Sequence, residues 1–236
     1  MNATAVARAP RDGAGSRVGV TPCARAAPRI RLLRGEDAPI AARLAHEAFQ
    51  HNAFYERVMG LDARAFGGYW CEFFRLALGD PRCRVYGISA RDELQGALVV
   101  ALHGFPGTAR GARFLWRLLA RVGPRRLLHY LRFVRGYERV MRRPASEMQR
   151  EARCYWLFVS PSAPVRGLGS RLFRAAVAAL HGEGFDLATG FVDAGNGPLL
   201  QLYRRLGLAI GPTFRFLGVD AVRVEIPTAR VTEPAP

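Results

Sequence analysis

The chain has 236 residues, half of them hydrophobic, which suits one full-sized domain or two small ones with a substantial core. No stretch reaches the roughly 18 uninterrupted apolar residues that a membrane span requires. The formal charge is +16 with arginine as the only strong base; this favours anionic ligands and raises nucleic acid or an anionic membrane surface as partners, but arginines found all along an Ala- and Gly-rich chain read first as compositional drift.

Residues 1–28 are rich in Ala, Arg, Pro and Gly, with Asp12 the only acid. They lack the apolar run of a secretory signal, and their Pro and Gly content predicts a disordered tail. Ile30 to Leu33 reads as a short strand. Gly35-Glu36-Asp37 is a capping signal, and Ile40, Leu44, Ala45 and Phe49 at helical spacing predict an amphipathic helix over 37–50. Asp62 is placed to cap a second helix carrying Phe66, Tyr69, Trp70, Phe73, Phe74 and Leu76, which stops at Gly79-Asp80-Pro81. Arg84 to Ile88 and Gly96 to Leu102 flank a turn at Arg91-Asp92-Glu93 and read as a β-hairpin.

Residues 105–150 break the pattern. Phe114, Leu115, Leu118, Leu119 and Val122 form a helical stripe, Gly123-Pro124 ends it, and a second helix carries Leu127, Leu128, Leu131, Val134 and Met141. Between Arg110 and Arg143 eleven arginines face the single acid Glu138. The strand from Cys154 to Ser160 is apolar almost throughout, as expected of a strand covered on both faces. A helix over 167–181 turns Leu168, Leu172, Phe173, Ala176 and Leu180 inward; Phe185 to Val192 is the next strand; Pro198 to Leu206 is a helix stopped by Gly207. Residues 208–216 and 219–226 read as a closing pair of strands. The order β-α-α-β-β-(insertion)-β-α-β-α-β-β predicts an α/β fold with a mixed sheet: one domain over 29–226, a helical insertion at 105–150 within it, and a C-terminal tail at 227–236.

The chemistry concentrates late in the chain. Arg166-Gly167-Leu168-Gly169-Ser170 lies between a strand and a helix, where glycines admit close backbone approach and the new helix offers free N–H donors and a positive dipole end to phosphate. A glycine turn before a helix can also be no more than a turn. The dinucleotide fingerprint would need a third glycine at the position of Leu172, and the Walker motif a lysine. Asn196 before Gly197-Pro198 reads as an N-cap with Pro in the first turn, compatible with ligand contact. Tyr203, in step with Leu199, Leu202 and Leu206, reads equally as a core aromatic or as a phenol reaching a leaving group. Cys23, Cys71, Cys83 and Cys154 form no C-x-x-C pair and read as free thiols of a reducing compartment; His46, His51, His103, His129 and His181 are scattered, so no metal site is expected.

From Trp156 to Gly207 the chain resembles the acetyl-CoA-binding core of the GNAT superfamily of acyl-CoA N-acyltransferases. Val159-x-Pro161 resembles that family's strand end, and Gly167-x-Gly169 the last two glycines of its Q/R-x-x-G-x-G/A pyrophosphate loop. Asn196 with Leu202-Tyr203-x-x-x-Gly207-Leu208 resembles its second motif, N-x-x-A-x-x-L-Y-x-x-x-G-F. The loop's usual Gln or Arg falls on Pro164, with Arg166 two residues on, and Leu208 replaces a common Phe. The resemblance implies a mostly antiparallel sheet whose central strands splay apart, and acetyl-CoA as cosubstrate without a metal. Leu157, Phe158 and Val159 would pair with pantetheine; Val165, Arg166, Gly167, Leu168, Gly169 and Ser170 would hold the pyrophosphate; Asn196 and Tyr203 would line the site, Tyr203 protonating the departing thiolate. Glu147, Glu151 and His103 are the candidate bases for the amine, with a water relay as the alternative.

A cytoplasmic enzyme acting on a small-molecule amine is the expectation, with a homodimer allowed and nucleic acid not expected. The acceptor walls carry no decodable motif, so antibiotic, peptide N-terminus and protein lysine stay open. A non-catalytic acyl-CoA sensor, or an anionic-surface binder using the arginine-rich insertion, is the alternative.

Overall fold

In the computed structural model, which describes residues 27–50, 52–103, 105–142 and 150–232, the central strands feed two separate apolar cores. Strand β3 (Glu93–Ala101) sends Ala97 and Val99 to one side and Leu98 and Val100 to the other, the period-two alternation of a strand buried on both faces. Its hairpin partner β2 (Cys83–Ala90) does the same with Val85 and Tyr86. Arg91 and Asp92 join the two strands with φ of 55° and 62°, the left-handed pair that a two-residue hairpin turn uses.

The remaining strands are β1 (Arg29–Leu32), β4 (Glu151–Val159), β5 (Leu187–Asp193), β6 (Ala209–Phe216) and β7 (Val219–Pro227). The described strands form one sheet in the order β1-β2-β3-β4-β5-β7-β6. Only the β4–β5 pair is parallel, so the sheet is mixed and mostly antiparallel, as expected. The closing strands do not lie in chain order, because β7 sits between β5 and β6.

One face of the sheet carries α1 (Ala38–Phe49), α2 (Ala53–Met59), α3 (Ala63–Gly79), α4 (Thr108–Val122) and α5 (Pro124–Val140). The other carries α6 (Leu168–Gly182), α7 (Gly197–Arg205) and α8 (Thr228–Thr232). The expected helices are all present within a residue or two. Helix α2 has no counterpart in the sequence reading. Thr228–Thr232, read there as the start of a tail, is a helical turn with Val231 buried. The expected N-terminal tail lies outside the described residues except for its last two positions.

The first core is aromatic. Trp70 of α3 meets Trp156 of β4 edge-on at 4.9 Å, and Phe49 at the end of α1 packs on both at 5.5 Å. Truncating a ring of this kind to Ala typically costs about 3–5 kcal/mol.

The two insertion helices are tied down by charge as well as by rings. Asp62 caps α3 by accepting the Ala65 N–H at 2.8 Å, and its other oxygen meets Arg126 of α5. Glu72, buried on α3, accepts from Arg75 at 2.9 Å and Arg121 at 2.7 Å, with Arg117 at 3.9 Å. Arg110 lies 3.9 Å from the buried Asp80. The guanidiniums are half-exposed, so each pair is screened. Their larger effect is to keep a buried carboxylate from being left without partners.

Gly96 on β3 lies against β4, and a Cβ there would overlap the Phe158 carbonyl oxygen and crowd the Val159 Cα at 2.9 Å. Gly96→Ala is expected to destabilise the fold by about 1–3 kcal/mol through this overpacking, read as a lower urea midpoint. An unchanged midpoint would show that β4 can yield.

Candidate active site

Strand β4 is paired along one edge and nearly bare along the other. With β3 it runs in register from Arg153 opposite Ala101 to Val159 opposite Gly96. A register shift between Val99 and Val100 leaves Tyr155 as the extra, bulged residue. With β5 it pairs only from Glu151 to Arg153, opposite Leu187 to Thr189. Beyond that point the second edge of β4 makes no further ladder pair among the described residues. Main-chain groups of Leu157 to Val159 there face a gap, and buried N–H and C=O groups require partners.

The chain that leaves β4 turns into α6 across the mouth of this gap. Gly167 ends the turn at φ +78°, a conformation that favours glycine. No side chain caps the helix. The Arg171 N–H closes the first turn onto the Gly167 carbonyl at 3.1 Å. The amides of Leu168, Gly169 and Ser170 therefore stand at a helix N-terminus with no capping side chain, at the positive end of the dipole.

Edge and loop share one cavity of about 670 Å³. It brings together Leu157 to Val159, Val165 to Ser170 and Asn196, every expected cosubstrate-binding residue except Tyr203. Asn196 Oδ1 accepts the Leu199 N–H at 3.2 Å, so the capping reading of that residue holds and its side chain also lines the cavity. Tyr203 is 7% exposed, with its ring 5.6 Å from Phe173; its neighbour Leu202, not Tyr203 itself, is on the wall. Pro164 is exposed on the loop, and the exposed Arg166 is on the cavity rim.

The sequence reading missed Phe49 and Asn52 at the end of α1, and Arg205 on α7. Arg205 had a signal, since it follows the Leu-Tyr motif on the helix that Asn196 caps. Among the described residues no acidic side chain lines the cavity.

Of the candidate bases, Glu147 lies outside the described residues. Glu151 and His103 share a different cavity of about 220 Å³ with Glu138 and Arg153, at the opposite end of β4. Glu151 is buried, accepts the Thr189 hydroxyl across the β4–β5 ladder and lies 3.8 Å from Arg153.

The sequence pattern of the acetyltransferase (GNAT) family matches residues 80–208, more than half of the chain. The chain belongs to the GNAT acetyltransferase family. Solved structures share the fold at low identity. The ribosomal-protein-S18-alanine N-acetyltransferase of Escherichia coli superposes with a TM-score of 0.52 at 14% identity, covering 85% of this chain and 94% of that one. An acetyltransferase of Thermus thermophilus gives 0.51 at 16% identity, covering 85% and 96%. The PaiA N-acetyltransferase of Thermoplasma acidophilum, solved with coenzyme A, gives 0.50 at 14%, covering 85% and 98%. Among curated proteins, a mycothiol acetyltransferase of Clavibacter michiganensis is 44% identical over 55 residues. That match spans 23% of this chain and only 18% of the relative's length.

Within this GNAT domain the described cysteines are free. Burial pushes the Cys154 thiol up to about 12, and the Cys83 thiol higher still. A thiol whose pKa is raised carries little thiolate at neutral pH. At pH 8, iodoacetamide is expected to modify the exposed Cys71 readily and to spare Cys83 and Cys154 until the chain is unfolded, as read by peptide mass spectrometry. Equal labelling of Cys71 and Cys154 in the folded protein would contradict their burial.

Proposed function

We propose that the protein transfers an acetyl group from acetyl-CoA to a primary amine of a small molecule by direct attack. One observation carries the reading: the unpaired edge of β4 runs into the uncapped amides of α6 within a single cavity that has arginines on its wall and, among the described residues, no acid. An extended chain with amides and a diphosphate matches that sequence of donors and acceptors, and the coenzyme A complex of the Thermoplasma enzyme of the same fold supports it.

Leu157 to Val159 would hydrogen-bond the pantetheine arm as an added strand and polarise the thioester carbonyl. The amides from Val165 to Ser170 would hold the diphosphate, assisted by Arg166, and Arg205 offers a second cation. The amine nitrogen attacks the carbonyl carbon, the carbon–sulfur bond breaks, and Tyr203 gives its proton to the thiolate. The nitrogen's surplus proton leaves through water. Much of the acceleration comes from holding the two reactants together. No described cysteine lines the cosubstrate cavity, which supports direct transfer over an acyl-cysteine intermediate. The ion pairs from Arg110, Arg117, Arg121 and Arg126 to acids on and beside α3 support a structural role for the insertion over a nucleic-acid surface.

Free-thiol release from acetyl-CoA in the presence of an amine panel tests the transfer itself; absence of release with every amine would leave only a sensor. Gly167→Glu is expected to abolish coenzyme A binding by calorimetry, since it adds a negative charge at a φ that side chains resist at a cost of about 1–2 kcal/mol. Normal affinity in that variant would overturn the loop assignment. Tyr203→Phe is expected to lower kcat by about a hundred-fold with coenzyme A affinity unchanged. An unchanged kcat would remove Tyr203 from the chemistry.

A further inference from the structure

A second cavity, of about 150 Å³, lies beside β4 under the insertion. Tyr155 and Trp156 of β4, Tyr69 of α3, Phe114 of α4, and Phe133 and Tyr137 of α5 supply rings to its wall. Glu138 is the charged residue of a wall that is otherwise mostly apolar, and an apolar cavity of about this volume accommodates one benzene ring. The surrounding rings already meet one another edge-on or offset, as at Tyr69 and Phe114 (6.2 Å, 76°) and at Tyr137 and Tyr155 (5.2 Å, 27°), which are the geometries a further ring would adopt against them.

The cavity's place on the strand matters most. Trp156 lines it, and Phe158, two residues on and on the same face of β4, lines the cosubstrate cavity. Phe49 lines the cosubstrate cavity too, and packs on Trp156 at 5.5 Å. Along this face of β4 the two cavities are lined by neighbouring side chains.

We propose that this cavity is the acceptor site, and that the acceptor is an arylalkylamine: one aromatic ring seated under α4 and α5, and the amine on a short arm reaching past Trp156 to the thioester. The inference rests on the acetyl-transfer reading above and names the substrate class for it. It makes the insertion a specificity element, because α4 and α5 supply much of the wall.

The probes are 2-phenylethylamine, ethanolamine and the unreactive ring 2-phenylethanol. Wild-type protein is expected to acetylate 2-phenylethylamine with a kcat/KM at least tenfold above that for ethanolamine, and to bind 2-phenylethanol by calorimetry without cosubstrate. Val134→Phe, which fills the cavity from α5, is expected to raise KM for 2-phenylethylamine at least tenfold and to leave coenzyme A affinity unchanged. Val134→Ala, which enlarges the cavity, is expected to shift preference toward 2-(1-naphthyl)ethylamine; it keeps the test alive if the larger residue disturbs folding. Equal kcat/KM for 2-phenylethylamine and ethanolamine, or a KM indifferent to both variants, overturns the ring site and leaves acetyl transfer standing. Ring binding that weakens in Val134→Phe, with no thiol release from any amine, supports the ring site and sinks the transfer reading instead.

Discussion

The arrangement depends on β4 and β5 parting after three residue pairs. The sheet consists of two halves, β1-β2-β3-β4 and β5-β7-β6, joined by the short ladder of Glu151 to Arg153 with Leu187 to Thr189. A ladder that short is a weak hinge, and other contacts reinforce it. At its root the buried Glu151 accepts the Thr189 hydroxyl across the joint. Above it, Tyr137 of α5 packs on Tyr155 of β4 and on Phe191 of β5, each at 5.2 Å. Phe133 on the same helix reaches Phe216 of β6 at 6.1 Å. The insertion therefore clasps both halves while leaving the far end of the gap open.

The gap sets the polarity of the site. Its open end holds the N-terminus of α6, with Arg166 and Arg205 and, among the described residues, no acid. Glu138 and Glu151 stand at the other end of β4, beside Arg153. In the proposed transfer an anionic cosubstrate would enter at the loop end, and the acceptor would approach the middle of β4 from the other direction.

Much of this was legible in the sequence because it is local. The strand–glycine–helix segment from Leu157 to Ser170 and the cap at Asn196 are short-range patterns, and they meet in one cavity. What escaped was non-local. Periodicity marks β6 and β7 as strands but says nothing about β7 entering between β5 and β6. Strand β4 starts three residues earlier than its apolar run because Glu151 and Arg153 look like loop residues until Thr189 and Glu138 are seen to partner them. Helix α2 has only seven residues, too few for a period to show. The ring-walled cavity draws on α3, α4, α5 and β4, and each ring taken alone fits a packed core; only the assembled wall shows that the rings leave a space.

The charge of the insertion shows the same limit from another side. Eleven arginines against one acid between positions 110 and 143 describe a basic helical pair that would read identically on a nucleic-acid binder. The deciding residue lies outside the segment. Glu72 sits between Cys71 and Phe73 in the aromatic stretch of α3, where its carboxylate is 2% exposed and draws in Arg75, Arg117 and Arg121. A carboxylate that buried must be paired or become neutral, so α4 is held against α3 by the acid's need as much as by its own apolar stripe. The arginines that face α3 are then spent on positioning α4 and α5, and those two helices close the wall over β4. The excess of positive charge thus first serves the geometry of the site, and only its remainder is presented to solvent.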